Sequence, residues 1–522
     1  MHLSTRHNAN RRHFLSQVGK GMVVASVGLA AAQDMGLASR ALAFEGDEKL
    51  NYGKDESLVA FIQETPADKL LPLVHAKWKS GTSLKELVGA AALANARAFG
   101  GEDYVGFHTL MALMPAYEIS KELPDNEAPL PVFKVLHRNA RRLDETGGHT
   151  ADVLHAVLPE QNANLGAFDV REAARRVDTG AAERILATFA QKGAKEAFNA
   201  LLLEVEDETE VHRVNLPYRA WDLLSIVGEE HALSMLRQSL RYCIKAEPKS
   251  TKGTREALAK AFDQHKLEGF AIGNREADGA WLNEMCNTLL SVGPAGAMDV
   301  AAAALKEGVA PDSFCQAASM AANQIVLRDP GRKKEWSNAE KPEGSVHGDS
   351  VGVHCSDAVN AWRHIAEVAN DRNKIAACLL VAFQVARDAE HSTLGKNLAH
   401  SPSRPLTDDL DRCKASDPKA LLATVEEAIR GKDQALASAA VHKLGLVNAD
   451  AAPIFSLLRK YAISEDGALH AEKYYRTVTD EFSHLPAAFR WRELVGLARV
   501  TASEYGFAAP GYAQSRELLR LS

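Results

Sequence analysis

Four short stretches set acidic residues a few positions ahead of a histidine. They read Gly-Glu102-Asp103-Tyr-Val-Gly-Phe-His108, Glu208-Thr-Glu210-Val-His212, Gly-Asp349-Ser-Val-Gly-Val-His354 and Glu465-Asp466-Gly-Ala-Leu-His470. Each histidine stands where an Ala/Leu-rich helical pattern opens. A ring in that place feels the positive end of the helix dipole, which favours its neutral form. A neutral ring nitrogen is what a metal ion or a general base requires. Four imidazoles turned toward one point would suit a transition metal such as iron, copper or zinc. Without a metal they would bind and polarise a carbonyl or a phenol. Asp103, Glu210, Asp349 and Asp466 would then hold the far ring nitrogens, as carboxylates do behind metal-bound histidines. The competing reading is plain: the acids cap helices and each histidine pins a neighbouring backbone.

Other polar groups rank lower. His347, in the Gly-flanked stretch Gly-Ser-Val-His347-Gly-Asp349-Ser, sits seven residues before His354 and is a further ligand candidate in a loop able to cover a pocket. His364 and Glu367 share a helix face, and Glu481-x-x-His484 matches half of a di-iron carboxylate motif. A di-iron bundle needs a second such pair and two more glutamates. No second pair follows the leader, so both read as surface or partly buried polar pairs. Trp221 and Trp362 fall nine and eight residues after their histidines and read as core packing.

The elements that must carry these residues are helices. The next helical pattern begins about Ala128, His231, Asn373 and Ala488, which is 20, 19, 19 and 18 residues past each histidine. Residues 103–141 and 349–387 align without a gap: Asp103, Val105, Gly106, His108, Ala112, Val135, Ala140 and Arg141 meet Asp349, Val351, Gly352, His354, Ala358, Val381, Ala386 and Arg387. Upstream, the stretch from Gly81 to Ala91 parallels that from Gly308 to Ala318. Repeated helical units of this kind stack or close into rings, because one unit alone cannot bury its apolar face. Apolar residues recur at three- and four-residue spacing throughout, while strand-type alternation and two-residue hairpin signals are scarce. The expected fold is all-α, a helical-repeat array or toroid of about four related units.

The expected organisation is a leader over 1–43, a lead-in over 44–69, repeats one and two over 70–250, repeat three over 251–400 and repeat four over 401–522. Repeat three carries an inserted polar loop over 329–344, beside the third histidine. Arg11-Arg12-His13-Phe14-Leu15 resembles a twin-arginine export motif. A short Gly/Ala-rich apolar run and Ala41-Leu42-Ala43 as a cleavage site follow it. The run is too short for a membrane span. The chain is thus expected to be exported by the twin-arginine machinery, a route that carries proteins already folded.

Composition agrees with this. The 522 residues carry a net charge of -7, about -11 without the leader, and 46% are apolar. Such an acidic chain repels phosphate backbones, which argues against nucleic acid. The six cysteines form no Cys-x-x-Cys pair and read as buried thiols. There is no dinucleotide fingerprint, Walker A loop, Gly-x-Ser-x-Gly elbow, His-Glu-x-x-His motif or haem tether.

The segments Gly-Phe-His108-Thr-Leu-Met-Ala-Leu-Met-Pro-Ala-Tyr-Glu118 and Val-His354-Cys-Ser-Asp-Ala-Val-Asn-Ala-Trp-Arg363 resemble those of questin oxidase-like proteins. That resemblance implies a largely helical fold and an enzyme of oxidative ring opening on anthraquinones. It makes His108 and His354, with His212 and His470 by repeat position, candidates for handling substrate or oxygen. Export departs from a reaction that draws on cytoplasmic NADPH. The combined expectation is an oxidoreductase acting on a small aromatic or quinone-like ligand. The alternatives are a non-catalytic helical binding or scaffold protein with structural histidines, and a His/Asp hydrolase or lyase.

Overall fold

The computed structural model describes residues 49–161, 164–395 and 398–521. The leader and its twin-arginine motif lie outside them. Among the described residues the chain is all-α, and the only β-type pairings are isolated bridges such as Arg275 with Val309. No described helix is long and apolar enough to cross a membrane.

The chain separates into two compact units. Of the described residues, the first comprises those up to 114, those of 136–205 and 219–250, and the second those of 115–135, 206–218 and from 251 on. The division is therefore into two, with everything from Thr251 onward in the second.

In the first unit, the Leu84–Phe99 helix starts on a capping box. Ser83 Oγ accepts from the Glu86 amide at 3.2 Å, and Glu86 Oε2 accepts from the Ser83 amide at 2.7 Å. That helix packs on Glu56–Glu64 and on Ala232–Ala246. Arg97 is fully buried and donates from Nε to Gln63 Oε1 at 2.8 Å and from Nη1 to Glu56 Oε1 at 2.7 Å. Such pairing is what allows a guanidinium into a core.

In the second unit, Pro311–Arg328 packs on Val351–Val368, which packs in turn on Asp371–Ala389 and Ala471–His484. Trp491–Glu504 lies against Ala471–His484 and Gln434–Leu446. Val326, Val346, Val353, Tyr474, Leu494 and Val500 share one buried apolar cluster. Each such aliphatic side chain contributes roughly 1.5–3 kcal/mol when fully removed from water. Arg499 closes the C-terminus of Pro311–Arg328, donating to Val326 O at 2.6 Å and Asp329 O at 2.7 Å.

Positions matched in the sequence do matching structural work. Gly81 and Gly308 both adopt positive φ, +109° and +83°, just ahead of a helix. A Cβ at Gly106 would lie 2.6 Å from the Phe99 ring, and one at Gly352 would lie 2.7 Å from the Val326 backbone. Phe99 and Val326 are themselves 18 residues beyond Gly81 and Gly308. In both stretches a glycine lets the histidine-bearing helix settle against the end of the helix before it.

Candidate functional site

The second unit holds three of the four histidines, and they meet. His354 Nε2 lies 3.2 Å from His470 Nε2, with ring centroids 5.3 Å apart. The His212 ring stands edge-on to His354 at 5.7 Å between centroids. His212 and His354 keep partial solvent contact, and His470 is buried.

Each ring is set by its own local device. His354 is the fourth residue of Val351–Val368, where its amide bonds Ser350 O at 3.0 Å, and Gly352 lets that turn lie on Val326. His470 is the N-cap of Ala471–His484 and follows a turn in which Gly467, Ala468 and Leu469 have φ of +48°, +49° and +64°. Left-handed backbone costs an L-residue roughly 1–2 kcal/mol, so this turn is held by its surroundings. Leu469 is buried, and Glu465 Oε2 accepts from the Gly506 and Phe507 amides at 2.8 and 2.9 Å. His212, second residue of Val211–Asp222, is anchored by its leader. Arg387 donates to Thr209 O and to Thr209 Oγ1 at 2.9 Å, and Arg372 Nη2 donates to Glu206 Oε1 at 2.8 Å.

Hydrogen bonds at Nδ1 decide which ring nitrogen carries the lone pair. His212 Nδ1–H faces Glu210 Oε1 at 2.6 Å, and His470 Nδ1–H faces Gly467 O at 3.2 Å. A proton on Nδ1 leaves Nε2 as the nitrogen turned to a ligand in the neutral ring, the arrangement that fixes the tautomer of a metal-bound histidine. His354 is held neutral, its pKa lowered to about 3. Desolvation leads, with His212 and Lys473 adding unfavourable positive charge.

His108 belongs to the first unit, in the second turn of Tyr104–Lys121. Its Nδ1 lies 2.7 Å from Tyr104 O, and its ring packs against Tyr104 and Phe107 with centroids at 4.3 and 5.0 Å. His212 and His470 thus stand at the very start of their helices, while His354 and His108 are the fourth and fifth residues of theirs.

Of the acids proposed to orient rings, Glu210 does so. Asp103 instead accepts from the Gly106 amide at 2.7 Å and from Arg142 at 2.7 and 2.6 Å. Its carboxylate is a helix cap and an ion-pair partner, because a residue three positions before an amide reaches backbone more readily than a ring. Asp349 is taken by Arg332 at 2.5 Å and Lys341 at 2.7 Å, both on the inserted loop. That loop closes on itself through Arg332 N to Ser345 O at 2.9 Å and Gly344 N to Arg332 O at 2.8 Å. Asp466 donates its amide to Phe507 O at 2.8 Å, tying the strained turn to the chain beyond Glu504.

His347 is buried next to this centre, its Nδ1 3.4 Å from Glu504 Oε1 and 3.7 Å from Asp349 Oδ1. Burial lowers its pKa to about 4. Glu504 accepts from the Gly348 amide at 2.9 Å, and desolvation raises its pKa to about 8, so it is protonated at neutral pH. A narrow cleft behind it is lined by Glu465, Tyr461, Tyr474 and Thr501. Lys134 adds a buried positive charge, donating to Glu472 Oε2 at 2.8 Å and Glu465 O at 2.7 Å.

Glu504, Lys134 and Lys473 carry no sequence signal that would have found them. Each sits in an ordinary helical pattern far in sequence from its partner. Elsewhere, Glu481 departs from the expected surface or partly buried pair: it is buried and accepts from Asn360 Nδ2 at 2.7 Å and Arg363 Nε at 3.0 Å. Trp362 is core, its Nε1–H on Gln384 Oε1 at 3.1 Å, and Trp221 stacks on Phe198 at 4.6 Å. All six cysteines are buried and free. Comparison with protein-family models, with curated proteins and with solved structures returns no match to this chain.

Proposed function

We propose that His212, His354 and His470 form the centre of an oxidoreductase that acts on a small aromatic or quinone-like molecule and uses a first-row transition metal. The observation that carries this reading is the 3.2 Å approach of two Nε2 atoms, with the His470 proton placed on Nδ1 by Gly467 O. Two imidazoles on one ion, each about 2.0–2.1 Å from it, bring their nitrogens to roughly 3.0–3.4 Å of each other. The depressed pKa of His354 keeps its ring neutral, as a ligand must be. A metal there would polarise a bound carbonyl or phenol oxygen. The chain's own part is to hold the rings through Glu210, Gly467 O and Ser350, and to keep Lys473 and protonated Glu504 at hand. A metal ion would take the place of the proton shared in the Nε2···Nε2 contact of these two rings.

The substrate class rests on the resemblance of residues 106–118 and 353–363 to questin oxidase-like proteins. The proposal extends to a protein built from related helical units, for which the paired glycines Gly106 and Gly352 speak, and to export through residues 1–43. A metal-free hydrolase or lyase is the second reading, favoured by protonated Glu504 beside neutral His347. Elemental analysis of tag-free protein separates the two. About one equivalent of iron, copper or zinc, lost in His354→Ala and His470→Ala variants that melt like the parent, supports the metal centre. Parent protein that stays metal-free after incubation with iron(II), copper(II) and zinc(II) rules it out.

A further inference from the structure

The turn that sets the His470 ring is held at both ends by one side chain, Lys134, from another part of the second unit. Lys134 is 3% exposed, and its chain neighbours Phe133 and Val135 are fully buried. In the ungapped alignment of residues 103–141 with 349–387 its place is taken by Leu380, also fully buried. An apolar side chain suits the matching place, so packing alone does not call for a lysine. A buried ammonium persists only where partners replace its water. Here all three of its protons are used. Nζ donates to Ala462 O at 3.0 Å, to Glu465 O at 2.7 Å and to Glu472 Oε2 at 2.8 Å.

These partners belong to two helix ends. Ala462 and Glu465 close Ala452–Ser464, where a cation is favoured, and Glu472 is the second residue of Ala471–His484, where an acid is favoured. The stretch between them, Asp466 to Ala471, contains His470 and the left-handed Ala468 and Leu469, at φ of +49° and +64°. Backbone of that kind persists only where its surroundings over-determine it. Gly467 O, in the same turn, accepts from the His470 amide at 2.9 Å and lies 3.2 Å from His470 Nδ1. The path from Lys134 to the ring is therefore short. The ammonium fixes two helix ends, these fix the turn, Gly467 O meets Nδ1, and Nε2 is left 3.2 Å from His354 Nε2.

We propose that Lys134 is the positioning residue of His470, its three hydrogen bonds fixing the turn and thereby the direction of Nε2. The consequence for metal binding rests on the reading of His470 as a ligand. The consequence for the turn rests on these contacts alone.

The test compares the full-length parent with Lys134→Met and with the double variant Lys134→Met/Glu472→Leu. Replacing both members of a buried ion pair by apolar groups recovers stability, yet here it leaves the two carbonyls without their tie. Cobalt(II) affinity and the visible cobalt spectrum report the ligand geometry. Hydrogen exchange over residues 466–472, measured without metal, reports the turn. Both variants are expected to bind cobalt about tenfold more weakly or worse, with a shifted spectrum. Exchange over 466–472 should quicken while that of Gln434–Leu446 stays at the parent rate. Leu421→Ala serves as control, because it removes a fully buried side chain on Pro418–Arg430. It should melt lower and keep the parent's cobalt affinity and spectrum. Parent-like affinity and spectrum in the folded double variant would overturn the proposal, as would unchanged exchange over 466–472. A parent that binds no cobalt defeats the metal centre instead, and the exchange comparison then decides the role of Lys134 by itself.

Discussion

His470 and Glu504 approach each other across a residue that has no side chain. A Cβ at Gly348 would lie 2.4 Å from His470 Cβ and 2.6 Å from Glu504 Oε1. The His347–Gly348 stretch is thus pressed between the two, and its backbone holds the Glu504 carboxyl. Gly348→Ala is expected to destabilise the protein by about 1–3 kcal/mol, the usual penalty for overpacking. It should also disturb the His354–His470 contact. Urea denaturation and metal content measure the two effects, and an alanine variant with parent stability would contradict this packing.

Glu210 and Asp103 look alike in the sequence and differ in what they hold. Glu210→Gln is expected to weaken cobalt(II) or iron(II) binding roughly 10–100-fold, the usual effect of losing a carboxylate behind a ligating histidine. Asp103→Ala removes a cap and should cost about 1–2 kcal/mol of stability with no change in the metal affinity. Isothermal titration with each variant decides between these roles. Equal metal affinities in the two variants would refute the assignment.

Two buried groups give the stability opposite pH slopes. His347 has a folded pKa of about 4 against 6.5 for a free imidazole, so the unfolded chain binds the extra proton between those values. Stability is therefore lost as pH falls from 6.5 toward 4. Glu504 has a folded pKa of about 8 against 4.5, so the folded chain binds the extra proton, and stability is lost as pH rises from 4.5 toward 8. Glu504→Gln should flatten the alkaline side, and His347→Gln the acid side. Denaturation midpoints collected from pH 4 to 9 test both slopes. An unchanged alkaline limb in Glu504→Gln would show that the carboxyl is ionised in the folded state.

The left-handed turn before His470 stores strain at a non-glycine residue, Ala468, whose φ and ψ are 49° and 41°. Ala468→Gly should relieve it and stabilise the protein by up to about 1 kcal/mol. Leu469 has the same backbone sign but is buried, so Leu469→Gly should destabilise through lost packing. Thermal melting of the two variants is expected to move in opposite directions.

The helices were legible because Ala- and Leu-rich runs at three- and four-residue spacing leave few other ways to bury apolar surface. Second helical patterns expected near Ala128, His231, Asn373 and Ala488 begin at Pro129, Ala232, Asp371 and Trp491. The glycines that permit close helix approach stood out as aligned pairs. Glu210 was legible as an orienting acid because it lies two residues from its ring, a distance that local backbone alone can close.

What linear order does not hold is which side chains end up sharing one volume. His354 and His470 are 116 residues apart, yet their Nε2 atoms stand 3.2 Å apart, while His108, with an equally good local signature, falls in the other compact unit. Asp103 and Asp349 each stand five residues before their histidines but are claimed by Arg142, Arg332 and Lys341, whose positions follow from helix packing and the closed inserted loop. Residue types and periodicity thus determined the all-α class and the histidines to watch. Burial and long-range packing decided which rings meet, which acids serve them, and that a glutamate near the chain's end stands protonated beside them.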